Sequence, residues 1–477
     1  MNLIRTAFGL IVGLGCLGFT AQATRAAEPA LPSGLGAPQV PSLPLGLGSK
    51  APSLPSGLAG NPGDAKPEGP ASIVDRLGVE VTGFVELRAG ARVQDARHEK
   101  DASIGEARAQ IELERASETV TFRLVVDLIA DPVEDRYPIK FEKGQGFFDL
   151  REANFIVRPL DFMDLKVGRQ VLTWGTGDLL FINDLFPKDW KAFFSGRDDE
   201  YLKGPSDAAK ASLFSGLANL DVVYTPRFDA DRFIDGQRLS YFNPVLGRTA
   251  GRDTVVRTDR PDDWFNDDEL SLRLYRNFGA VETALYAYRG FWKSPVGFDP
   301  MSGRSTFPKL AVYGASLRGP IAGGIGHGEF GYYDSRDDRR GVDPMVRNGE
   351  WRGLVGFERE VLPEFTMGVQ YYLTRMTDHG NYIAVLPMGM HAARRNRHSV
   401  TVRLTKLAMN QNLTLSVFNF WSPSDHDGHL RARATYKISD AWLAEIGTLL
   451  FYGRRRDSFL GQFQDNSNLF VALRRSF

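Results

Sequence analysis

The sequence predicts an all-β protein, a transmembrane antiparallel β-barrel of about eighteen strands with long extracellular loops and short periplasmic turns. Three observations predict it. Apolar residues recur at every second position in segments from Val79 onward. No apolar run beyond the N-terminal region reaches the ~18 residues that a spanning helix needs. The chain also closes on an alternating strand, Asn468 to Phe477, in which Leu469, Val471, Leu473 and the terminal Phe477 share one face. That terminal strand predicts an outer-membrane location in a Gram-negative bacterium, with the assembly machinery reading the last strand and the first strand pairing with it.

A barrel also reconciles membrane insertion with a polar composition. Hydrophobic residues make up 43% of the chain and charged residues 24%, because a barrel strand needs apolar side chains only on its lipid face. Lys+Arg and Asp+Glu both number 58, so no net field selects nucleic acid as a partner. The expected surroundings are instead outer-membrane lipid and lipopolysaccharide, and aromatics suit membrane-edge girdles.

Residues 1–23 read as an export signal: Arg5, an apolar stretch from Ala7 to Phe19, then Ala21-Gln22-Ala23 in a small-x-small pattern, with Thr24-Arg25-Ala26 as an alternative cut. The one cysteine, Cys16, lies inside the apolar stretch, so the mature chain forms no disulfide or thiolate metal site. Residues 24–72 form a different polymer. Leu31-Pro32-Ser33-Gly34-Leu35-Gly36, Leu43-Pro44-Leu45-Gly46-Leu47-Gly48 and Leu54-Pro55-Ser56-Gly57-Leu58-Ala59 repeat one theme too rich in Pro and Gly for helix or sheet. They predict a disordered periplasmic tether, a plain spacer or a docking segment for a periplasmic partner. Residues 73–477 are the barrel.

The first strand places Val79, Val81, Val85, Leu87, Ala89, Ala91 and Val93 on one side, against Glu80, Thr82, Glu86, Arg88, Arg92 and Gln94. Next, Ala107, Ala109, Ile111 and Leu113 oppose Glu106, Arg108, Gln110, Glu112 and Glu114. Then Val120, Phe122, Leu124, Val126 and Leu128 oppose Thr119, Thr121, Arg123 and Asp127. The same alternation returns at Phe365, Met367, Val369, Tyr371 and Leu373. Short links recur at 116–118, 159–164, 217–219, 277–279, 319–323, 362–364, 409–412 and 438–441, with longer connections between them. With both termini periplasmic, the long loops Thr176 to Asp207, Pro226 to Asp267 and Thr377 to Asn396 are extracellular.

Asp149-Leu150-Arg151-Glu152-Ala153-Asn154-Phe155, a short link, then Leu165-Lys166-Val167-Gly168-Arg169-Gln170 and Trp174-Gly175 resembles the signature of alginate-export-type outer-membrane porins and their uncharacterised relatives. The resemblance implies eighteen strands and an arginine-lined lumen passing an anionic polysaccharide, with Arg151 and Arg169 turned inward. The segment Gly177 to Trp190 lies outside that pattern.

By parity Arg88, Arg92, Arg108, Arg123, Arg403, Arg431, Arg433, Lys437 and Arg474 point inward, able to bind carboxylate or phosphate in a confined pore. The inward acids Glu80, Glu86, Glu106, Glu112, Glu114 and Asp127 cluster in the first strands, and cross-strand ion pairing explains the same residues equally well. Thr176 to Asp207 mixes bulky apolar residues with Lys188, Asp189, Trp190 and Arg197, the makeup of a loop that folds inward as a constriction; an exposed loop is the alternative. Asp425-His426-Asp427-Gly428-His429 has ligand-type residues without further partners, and no nucleophile, base and orienting group stand together. No cofactor, metal or catalytic role is expected. The function read from the sequence is a channel for polar or anionic solutes, an oligo- or polysaccharide among them, with a structural anchor as the alternative and an outer-membrane enzyme third.

Overall fold

The computed structural model describes residues 78–134 and 146–477, so the expected signal segment and tether lie outside the described residues. Eighteen strands form one sheet. The first nine are β1 Glu80–Arg92, β2 Ala102–Ala116, β3 Val120–Ala130, β4 Phe148–Leu160, β5 Met163–Val171, β6 Pro205–Leu213, β7 Asn219–Thr225, β8 Glu269–Phe278 and β9 Val281–Phe291. The rest are β10 Lys309–Ile321, β11 Gly324–Ser335, β12 Glu350–Leu362, β13 Phe365–Met376, β14 Asn396–Ala408, β15 Leu413–Ser422, β16 Asp427–Lys437, β17 Trp442–Gly453 and β18 Asn468–Ser476. Each pairs antiparallel with its sequence neighbour, and β1 pairs with β18, which closes the barrel and removes every free edge.

The closing register sets Glu86 opposite Arg474 and Leu87 opposite Leu473. Beyond it, Gly83 and Phe477 exchange backbone bonds in both directions, 3.0 and 3.1 Å. The outer face is apolar where the alternation requires it: Leu87 is 51% exposed and Leu469 54%, while their neighbours Glu86, Arg88 and Phe470 are buried inside. All eight expected short links coincide with turns at one end of the barrel. The left-handed residue Gly323, at φ +73°, closes the link between β10 and β11. Two loop boundaries shift. Asp207 belongs to β6 and Asn396 to β14, because ladder bonds capture both residues.

Among the described strands the register slips in four ladders, at Gly90/Ala91, Val125/Val126, Val157/Leu160 and Glu360/Leu362. The β3–β4 register slips between Val125 and Val126, which face Glu152 and Leu150 and leave Arg151 unpaired in a bulge. Gly168, at φ +119°, marks a further irregularity beside Arg169.

A cluster of buried apolar side chains occupies the barrel interior. It joins Leu180, Ile182, Phe193, Phe194 and Leu202 of residues 172–204, Leu239 of the 226–268 loop, and Leu460 and Phe463 of the 454–467 loop to wall residues including Tyr288, Val312, Tyr333, Phe418 and Phe451. The 226–268 loop therefore also reaches inward, sending Leu239 into this core and Arg238 onto Asp131 and Glu134 at 2.5 and 2.9 Å.

Candidate channel constriction

The 172–204 segment leaves β5 and is gripped by strands on the far wall. Glu329 of β11 accepts the amides of Thr176, Gly177 (2.8 Å) and Asn183 (3.2 Å), and the Asn183 side-chain amide at 3.0 Å. Gln370 of β13 both accepts from the Asp178 amide and donates to its carbonyl, at 2.8 and 2.9 Å. Arg403 of β14 holds the Asp178 carboxylate. β14 lies nine strands on from β5 in an eighteen-strand ring, so the segment crosses the lumen before returning to β6.

The return leg carries a short helix, Trp190–Ser195. Asp189 caps its start by accepting the Ala192 amide at 2.7 Å, and Gly196 ends it in the left-handed region at φ +88°. Gly196 has a second constraint: a Cβ there would stand 2.6 Å from Cδ1 of Phe470 on β18. After the helix, arginines of the wall capture loop carbonyls. Arg88 donates to Gly196 at 2.8 Å, Arg431 and Arg433 to Arg197, and Arg151 to Glu200 and Lys203 at 3.3 and 3.2 Å. Tyr201 lies between the guanidinium groups of Arg108 and Arg151, 4.1 and 4.5 Å from its ring centre, and accepts a bond from Gln110.

Of the arginines named from parity, Arg88, Arg108, Arg403, Arg431, Arg433 and Arg474 are thereby brought to the loop, and carboxylates accompany them. Arg88 bonds Glu86 and Glu445, at 3.0 and 2.7 Å. Arg108 bonds Glu106 and Asp127; Arg403 bonds Asp178; Arg431 and Arg433 meet Asp199; Arg474 bonds Glu86 at 2.9 Å and approaches Asp198 at 3.8 Å. Arg123 stands nearer the turn end among Glu112, Glu114 and Glu152, and Arg169 forks onto both oxygens of Asp207 at 2.9 Å. Three residues sit away from this crossing. Arg92 binds carbonyls at the mouth, Lys437 pairs with Asp440 beside a turn at 2.8 Å, and Glu80 is exposed at the turn end.

The Lys188 side chain braces the loop internally, and Asp189 and Trp190 hold it to the 226–268 loop. Lys188 pairs with Asp184 at 2.9 Å, Asp189 with Arg232 at 3.2 Å, and the Trp190 indole donates to Asp231 at 3.1 Å. Burial pushes the Asp231 carboxyl above its usual range, against the pull of its donors Ser294, the Lys188 amide and Trp190. Arg197 instead reaches the wall, bonding Glu106 at 2.5 Å.

Sequence reasoning did not single out Glu329, Gln370, Asp178, Tyr201 or Glu445 as site residues. Parity marks Glu329 and Gln370 as inward, but no local signal ties them to a loop so far upstream. The ligand-type run of residues 425–429 disperses: Asp425 pairs with Arg397, Asp427 accepts the Leu460 and Gly461 amides, and His429 is enclosed by phenylalanines. Among the described residues no group of three or more metal-ligating side chains assembles.

No family model matches the chain, and no curated protein matches it. Solved structures do. OccAB4 of Acinetobacter baumannii is 12% identical, with 84% of this chain and 98% of that one covered at a TM-score of 0.51. OccD3 (OpdP) of Pseudomonas aeruginosa is 11% identical over 84% and 91% at 0.48, and OmpF of Salmonella typhi, in complex with daunomycin, 8% identical over 84% and 99% at 0.42. At such identities the likeness speaks to fold: the chain is a closed eighteen-stranded antiparallel β-barrel with the fold of OccAB4.

Proposed function

We propose that this protein is an outer-membrane channel for polar solutes, biased toward anions, whose passage is set by the 172–204 loop. One observation carries the reading: the loop spans from β5 to the opposite wall and back, pinned there by Glu329, Gln370 and Arg403 and, on its return leg, by Arg431, Arg433 and Arg88. A bridge across a lumen narrows what passes while leaving the wall intact.

The arginines supply donors for carboxylate or phosphate, and the loop aspartates that hold them are groups an anionic solute would replace. The solute class suggested by the resemblance at Arg151 and Arg169 is an oligo- or polysaccharide bearing carboxylates. Planar-bilayer recordings test the reading: the protein should conduct, and changing Arg403, Arg431 and Arg433 together to Gln should move the reversal potential toward cations at low salt. An unchanged reversal potential would make those arginines structural partners of the acids. No conductance, even with the loop shortened, would sink the channel itself.

A further inference from the structure

His429 on β16 is only 4% exposed, and neither ring nitrogen has a hydrogen-bond partner among the described residues. Five phenylalanine rings enclose it. Phe193 and Phe194 come from the lumenal helix, at 5.8 and 5.9 Å between ring centres; Phe418 and Phe420 come from β15, at 5.7 and 6.0 Å, and Phe451 from β17, at 6.0 Å. Three rings belong to the wall and two to the crossing loop, so the imidazole sits where loop meets wall.

A neutral ring fits this cage at the cost of unmade hydrogen bonds. An imidazolium does not fit. Cation–π contact returns less than an unpaired buried charge costs.

Among the described residues none of the charged groups nearby bonds the imidazole. On the same strand, Asp427 accepts the amides of Leu460 and Gly461 on Oδ2 and has its Oδ1 buried without a hydrogen-bond partner among the described residues, and Arg431 lies 4.8 Å from the Phe193 ring with its charge on Asp199. Arg403 stands 5.0 Å from the Phe418 ring, bound to Asp178. On the helix, Lys191 pairs with Asp235 at 2.7 Å; in the 454–467 loop, whose Phe463 packs on Phe451 and Phe194, Asp465 pairs with Arg456 at 2.6 Å. On β17, Glu445 is taken by Arg88.

We propose that His429 is a proton-operated release for the loop: on acidification the ring takes up a proton, and Phe193 and Phe194 lift from the wall so that water reaches the charge and the lumen widens. This rests on the channel reading.

Bilayer currents from the full protein between about pH 7.5 and about pH 4.5, for the native chain and for His429→Phe and His429→Gln, test it. Native conductance should rise several-fold on acidification and both variants should stay flat. A rise that persists in both variants would assign the response to the loop carboxylates and overturn the proposal, as would a native channel indifferent to acid. Hydrogen exchange over residues 188–203, corrected for the intrinsic pH effect, reads the same release without current. Exchange that accelerates at acid pH only in the native chain supports the release even if no current flows, in which case the channel reading alone fails. Equal exchange in all three proteins overturns the release.

Discussion

Arg403 of the wall and Asp178 of the crossing loop meet through two bonds, Nε to Oδ2 at 2.5 Å and Nη2 to Oδ1 at 2.9 Å. The fork fixes both the angle and the distance of the loop at its farthest point from β5 and β6. It also means that a wall charge and a loop charge cancel only while the loop is seated.

Asp178→Asn should therefore loosen the loop and uncover one positive charge. Asp178 is partly solvated, so the loss is put at about 1 to 3 kcal/mol of loop seating. Higher conductance with a reversal potential moved toward anions is the expected result. The double variant Asp178→Asn with Arg403→Gln should recover much of the seating, and a double-mutant cycle showing no coupling would refute the pairing.

Glu329 concentrates three loop amides and one side-chain amide on a single carboxylate. Glu329→Ala leaves those donors facing one another without an acceptor, at about 1 to 3 kcal/mol for each that stays buried. Hydrogen exchange should accelerate over residues 174–185 while the barrel keeps its heat-modifiable mobility on gels. Protection unchanged in that segment would show that the carboxylate is dispensable.

Gly196 meets two demands at once, a left-handed backbone and contact with Phe470. Gly196→Ala should cost about 1 to 3 kcal/mol through strain and overlap. Combining it with Phe470→Leu relieves the overlap but not the strain, so a partial return of loop protection is expected. Full return would mean that φ at this position carries no cost.

At the mouth, burial raises the Glu99 carboxyl to about 7, against the pull of Arg92 and Arg252. Arg252 bonds it at 3.2 Å, and the Glu99 Oε1 is buried without a hydrogen-bond partner among the described residues. A carboxyl whose folded pKa is raised favours the folded clasp while protonated. Stability is thus highest below the unfolded value, 4.5, and falls as pH rises from there to about 7. Exchange protection of residues 93–101 should decline across that window in the native chain. Glu99→Gln should hold it level; a decline of equal size in the variant would place its origin elsewhere.

Much of the wall was legible in the residues themselves. The alternation through Glu86, Arg88, Glu106, Arg108 and Asp127 put these side chains inside, and the links at 116–118 through 438–441 gave the strand count. Both are local properties: successive side chains of a strand leave on opposite faces, and a tight turn needs residues that tolerate it. Arg151 shows where this code stops, since a bulge set by the β3–β4 register removes it from the count.

The sequence by itself determined an alternating, eighteen-strand wall and which charges it turns inward. Only the tertiary structure decided what those charges touch. Closure brings Glu86 of β1 against Arg474 of β18, and the loop's passage carries Asp178 to Arg403 and Asp199 to Arg431. The physical reason is that strand alternation is written within a few residues, whereas an ion pair across a lumen depends on how segments hundreds of residues apart are positioned by ring closure and by the packing of Phe193 and Phe194 on the far wall.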